Sequence, residues 1–102
     1  MKTRHRTNRI SVIREFMQIP GVGKSIAQDF WDMGFRSVGE LAKKNPEKLY
    51  EDFCTRRGEI VDRCMLYVFR CAVYYASHPD REPEKLKWWN WSDKKISSLS
   101  IH

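Results

Sequence analysis

From position 19 the chain runs Ile19, Pro20, Gly21, Val22, Gly23, Lys24, Ser25, Ile26, Ala27. These residue types in this order suit the binding of an anion. Proline disfavours the helical region in the residue before it and brings no amide of its own, so a helix ends here. Glycine allows a left-handed backbone and leaves no Cβ in the way of an approaching group. A second helix that starts at once presents the unpaired amides of its first turn, at the positive end of its dipole. A phosphate oxygen fits that place. The expected donors are the amides of Gly21, Gly23, Lys24 and Ser25, with the Lys24 ammonium and the Ser25 hydroxyl beside them, and Val22 anchoring the turn in the core. No such group reaches a base edge. The expected partner is therefore a nucleic acid, double- or single-stranded, bound without regard to sequence and sensitively to salt.

Other residues invite chemistry less directly. Arg56 and Arg57 could touch phosphate by charge, although a solvated basic loop is the more ordinary reading. Cys64, Cys71 and His78 lie seven apart on one helical face, with Cys54 in the preceding loop. Positions seven apart are about 10 Å apart along a helix, too far to share one ion. No metal ligand set is expected, and small thiols on a core stripe are the better account. Trp88, Trp89 and Trp91 with Lys85 and Lys87 form an aromatic cluster. The rings suit a cap folded over the core, and exposed ones would suit stacking on unpaired bases.

Helices must position these groups. Ile10, Ile13 and Phe16 or Met17 make one apolar stripe before Pro20, and Ile26, Phe30 and Met33 make another after Gly23. Gly34 closes the second helix. Ser37 and Glu40 read as a capping box, each satisfying an orphan amide. Asn45 before Pro46 starts a helix carrying Leu49, Tyr50 and Phe53. The longest helix is expected over 60–77, closed by His78 and Pro79. No stretch alternates long enough for a strand. The expectation is an all-α chain of about five short helices, with a basic arm at 1–9, a helical domain at 10–78, and a tryptophan-bearing segment with a polar tail at 79–102.

Bulk properties agree. The 102 residues hold 19 Lys+Arg against 13 Asp+Glu, a net charge of +6. Five of these bases, Lys2, Arg4, Arg6, Arg9 and Arg14, fall in the first fourteen positions with no acid among them. That arm is either a solvated tail or a strap along phosphates. A mean hydropathy of −0.65 argues against a membrane protein. Three cysteines and no apolar leader predict free thiols and a cytoplasmic location.

The series Ile19-Pro20-Gly21-Val22-Gly23, closed by Ala27 and flanked by amphipathic helices, resembles the helix-hairpin-helix motif of DNA repair and recombination proteins. The stretch from Trp31, Asp32, Met33, Gly34 and Phe35 to Leu41 resembles the linker and third helix of tandem domains of that kind, a SAM-like class. The later stretch 61–75, with Lys85 to Trp91, resembles a small bacterial group of pathogenicity-locus or mitomycin-resistance proteins, and the likeness spans 13–92. The resemblance implies a DNA-binding fold connected with repair, and a monovalent cation at the carbonyls of turn 19–23. A second hairpin is due near Cys54, Thr55, Arg56, Arg57 and Gly58, which lack the glycine pattern, so it is expected to be degenerate. Glycosylases of this class with lyase activity place lysine one residue later than Lys24, before a Thr-Ala pair; Ser25 and Ile26 stand there instead. The downstream aspartate is also missing, since that region reads Leu41, Ala42, Lys43, Lys44. No catalytic residue and no cofactor are expected. The rival reading is a protein-interaction module or homodimer that uses the helix at 60–77 and the tryptophans, with the hairpin kept as scaffold.

Overall fold

A computed structural model describes residues 8–100, and these form five α-helices joined by turns and single 3-10 turns, with no strand among them. Helix α1 spans Arg9–Phe16, α2 Lys24–Asp32, α3 Pro46–Arg57, α4 Cys64–Ser77 and α5 Asp93–Ser100. The 3-10 turns are Val38–Leu41, Pro83–Leu86 and Trp88–Trp91. The chain is all-α. Residues 1–7, most of the expected basic arm, and the last two of the polar tail lie outside the described residues.

Local chemistry starts and stops these helices. Asn8 begins α1 by accepting from the amides of Ile10 (2.8 Å) and Ser11 (3.4 Å) with its side chain. Asn45 does the same for α3, taking Glu47 at 2.8 Å and Lys48 at 3.2 Å, with Pro46 in the first turn. At the end of α2, Gly34 is left-handed (φ +100°). Its amide reaches the Trp31 carbonyl, and that of Phe35 reaches the Phe30 carbonyl, each at 3.0 Å, which is the Schellman arrangement.

Two expected starts differ. Ser37 caps nothing: residues 38–41 make only a 3-10 turn, and the Val38 amide goes to Glu15 Oε2 on α1 (2.8 Å). Glu40 does accept an amide, but that of Arg36 (2.8 Å) rather than Ser37. The long helix begins at Cys64 and not at Ile60, which is 90% exposed. Residues of α3 capture the intervening backbone, for the Tyr50 hydroxyl donates to the Val61 carbonyl and the Cys54 sulfur receives the Val61 amide (3.4 Å).

The core is threaded by phenylalanines from four helices. Phe16 of α1 meets Phe30 of α2 (centroids 5.1 Å apart), Phe30 meets Phe69 of α4 (5.6 Å), and Phe69 meets Phe53 of α3 (5.5 Å). Full burial of each such ring contributes about 1.5–3 kcal/mol. On α1 the buried face is Val12, Ile13 and Phe16, so the expected stripe is rotated, and Ile10 and Met17 stand outside it. The residues after α4 fold back over that helix. Trp88 packs against the core, and Trp91 meets Tyr74 at 5.5 Å. Arg70, only 10% exposed, fastens the segment by donating to the Trp91 carbonyl (2.8 Å), Glu47 (2.9 Å) and Asp93 (3.0 Å).

Candidate nucleic-acid interface

The turn between α1 and α2 is pinned at two points. Ile19 and Val22 are buried at 1% and 5% exposure, and the Val22 amide donates to the Ile19 carbonyl at 3.0 Å. With Pro20 second and Gly21 third (φ +88°), this has the form of a type II turn, whose third position needs a positive φ. A second constraint acts on the same glycine. A Cβ there would sit 2.8 Å from Cδ1 of Trp88. Gly23 is under neither constraint: its backbone is extended (φ −93°, ψ −171°), and nothing lies within 4 Å of where its Cβ would be.

Gly23 is the N-cap of α2 and, lacking a side chain, caps nothing. The first helical bond runs from the Ala27 amide to the Gly23 carbonyl (2.9 Å). The amides of Gly23, Lys24, Ser25 and Ile26 therefore find no partner among the described residues, and neither does that of Gly21. Ile26 extends the expected donor set; its amide belongs to the same uncapped turn. The Val22 amide is consumed inside the turn, so this residue positions the others. Gly21, Gly23, Lys24 and Ser25 are exposed, Pro20 is half-buried, and the tryptophan segment touches Gly21 without sealing the row.

Charge is concentrated beside these amides. Lys24 lines a groove between α1 and α2 with Arg9, Arg14 and Gln28, floored by Ile10, Ile13 and Met17, and no carboxylate contributes to it. Arg9 donates to Gln28. Neither Lys24 nor Arg14 makes an ion pair among the described residues. Arg56 and Arg57 are not brought to this groove. They line another cleft with Asp29 and Asp32, where Arg57 stacks on Phe53 (4.9 Å) and pairs with Asp29 at 3.4 Å. Burial raises the Asp29 carboxyl above its ordinary range, and the nearby Arg57 opposes that rise.

The reversal between α3 and α4 falls at residues 59–63, not at 54–58. Residues 54–57 are the last turn of α3, closed by left-handed Gly58 (φ +73°). At the start of α4, Asp62 Oδ1 accepts the Cys64 amide at 2.8 Å. That bond holds the Asp62 carboxyl below its ordinary range. A carboxylate of the chain itself thus occupies the place that is open on α2.

The sequence model of the pathogenicity locus family matches residues 9–96, from the first residue of α1 into α5. The chain belongs to that family. It is also similar to mitomycin resistance protein McrB of Streptomyces lavendulae, with 28% identity over 79 residues, covering 78% of this chain and 71% of that protein. No solved structure matches the chain.

In this chain the three cysteines take three different environments. Cys71 is buried, and burial pushes its thiol up to about 11. Cys54 is half-buried. Cys64 is exposed, which corrects the expectation of a wholly buried stripe, because α4 turns that position outward at its first residue. Among the described residues no group of three or more His, Cys, Asp or Glu is placed to hold a metal ion. No described helix is long and apolar enough to cross a membrane. The tryptophans also divide: Trp88 and Trp91 are partly buried, whereas Trp89 is 53% exposed.

Proposed function

We propose that this protein binds DNA without regard to sequence, by docking a backbone phosphate on the amides that open α2, in the manner of a helix-hairpin-helix element. The observation that carries the reading is the row of unpartnered amides from Gly23 to Ile26, on residues exposed as far as Ser25, beside three cations and no acid. An anion there gains hydrogen bonds from groups that otherwise face water, together with the favourable end of the helix dipole. Lys24, Arg14 and Arg9 extend the positive surface along α1, toward the end from which the basic arm departs. The carbonyls of Pro20, Gly21 and Val22 accept no hydrogen bond among the described residues, an oxygen donor set that suits a monovalent cation. Such an ion would add positive charge beside the phosphate.

On α4 Met65, Val73 and Tyr75 are partly buried, and Leu66, Val68, Phe69 and Tyr74 are covered by the same chain. They give the protein-interaction reading little free surface.

Fluorescence anisotropy with unrelated oligonucleotides over a range of salt tests the proposal. Each phosphate contact contributes about −0.9 to the slope of log K against log salt on duplex DNA. Lys24→Ala is expected to weaken binding equally on all sequences and to flatten that slope by about 1. A folded Lys24→Ala protein with wild-type affinity and slope would remove the turn from the interface.

A further inference from the structure

We infer that Trp89 is a stacking platform for an unpaired base of the strand whose phosphate lies on the α2 amides, so that the preferred ligand is single-stranded or locally opened DNA. This rests on the phosphate-turn reading and adds a ligand class to it.

The three tryptophans of the C-terminal segment are differently employed. Trp88 closes over Gly21, its Cδ1 2.8 Å from where a Cβ would stand. Trp91 lies on Tyr74 and donates through Nε1 to the Lys85 carbonyl at 2.8 Å. Trp89 does neither. Its ring leans edge-on against Trp88 with centroids 5.8 Å apart, and 53% of the residue is open to solvent. The exposed ring is thus one aromatic neighbour away from the turn that presents the amides.

The surroundings hold Trp89 in place without covering it. The 3-10 turn Trp88–Trp91 is tied down by Asn90 Nδ2 on the Glu84 carbonyl (2.8 Å) and by Arg70 on the Trp91 carbonyl (2.8 Å). A ring held on a fixed backbone loses little further freedom when a base stacks on it, and stacking on tryptophan is tolerant of base identity. Lys85 and Lys87 are paired with Glu82 and Glu84, so the segment offers an aromatic face more than free charge. Phosphate recognition stays with the turn.

The test measures binding of the full chain to an oligothymidine, to a duplex of equal length and to an oligonucleotide of abasic sites. Trp89→Ala is expected to weaken oligothymidine binding on the order of ten-fold and to leave duplex binding within about two-fold. Trp89→Phe should keep most of the single-strand affinity, and the abasic strand should be indifferent to both changes. Equal losses on all three probes would show that Trp89 only supports the turn, and no loss on oligothymidine would show that the ring is unused; either overturns the inference. If Lys24→Ala weakens oligothymidine and duplex while Trp89→Ala weakens neither, the platform fails and the phosphate turn stands. If the wild-type protein holds none of the probes, both fail together.

Discussion

Of two glycines two positions apart, one is doubly constrained and the other is free. Gly21 combines a positive φ with a tryptophan ring against its α-carbon. Gly21→Ala is therefore expected to cost on the order of 2 kcal/mol, from backbone strain and from displacement of Trp88. Urea unfolding followed by circular dichroism measures it, and an unchanged midpoint would mean the ring yields freely. Gly23 has extended backbone and open space. An aspartate fits there as an N-cap and would accept the very amides assigned to phosphate. Gly23→Asp is thus expected to stabilise the fold by about 0.5–1 kcal/mol while weakening DNA binding severely. Stability and affinity moving together in this variant would count against the site. Asp62, one residue before the N-cap of α4, already accepts the first amide of that helix with its carboxylate.

At the scale of elements, the C-terminal segment is held to α4 by a charge cluster. Asp93 at the start of α5 receives Arg63 at 2.8 Å and Arg70 at 3.0 Å. The hydrogen bond from Arg63, reinforced by Arg70 against a smaller opposing effect of burial, lowers its carboxyl to about 2. A carboxyl lowered in the folded state stabilises that state above its ordinary pKa, and the contribution is lost as pH falls from about 4 toward 2. Because the group is nearly half exposed, solvent screens the effect. Thermal unfolding of wild type and Asp93→Asn should differ at pH 6, with the wild type the more stable, and converge near pH 2. A gap that persists at pH 2 would assign the difference to packing instead. Elements also explain why the capping box at Ser37 did not form. In the one-turn 3-10 segment the Glu40 amide, which the Ser37 hydroxyl would have accepted, goes to the Ser37 carbonyl (3.2 Å), and the Glu40 carboxylate takes the Arg36 amide instead.

For the whole molecule, the Phe16–Phe30–Phe69–Phe53 chain joins α1, α2, α4 and α3 into one core, and the segment after α4 closes over it. Trp88 makes the turn between α1 and α2 depend on that closure, since it supplies the surface on which Gly21 rests. Trp88→Ala is expected to destabilise the protein by about 2–4 kcal/mol and to weaken duplex and single-strand binding alike. Thermal unfolding and anisotropy together distinguish this uniform loss from the strand-selective loss expected at Trp89.

What could be read from residue order is what depends on near neighbours. The all-helical class, the stop at Gly34, the Asn45–Pro46 start and the uncapped amides after Gly23 all follow from dihedral preferences and from partners within about four positions, whereas α1 ends at Phe16, short of the stop expected at Ile19–Pro20. Even here the onset of α4 was misplaced, because Tyr50 and Cys54 draw the Val61 backbone away from the helix. Only the tertiary structure decided which face of α1 is buried, that Arg57 answers Asp29, and that Trp88 covers Gly21 while Trp89 stays in solvent. Those outcomes join residues remote in the chain, and close packing of large rings, not local preference, selects among the arrangements that bring them together.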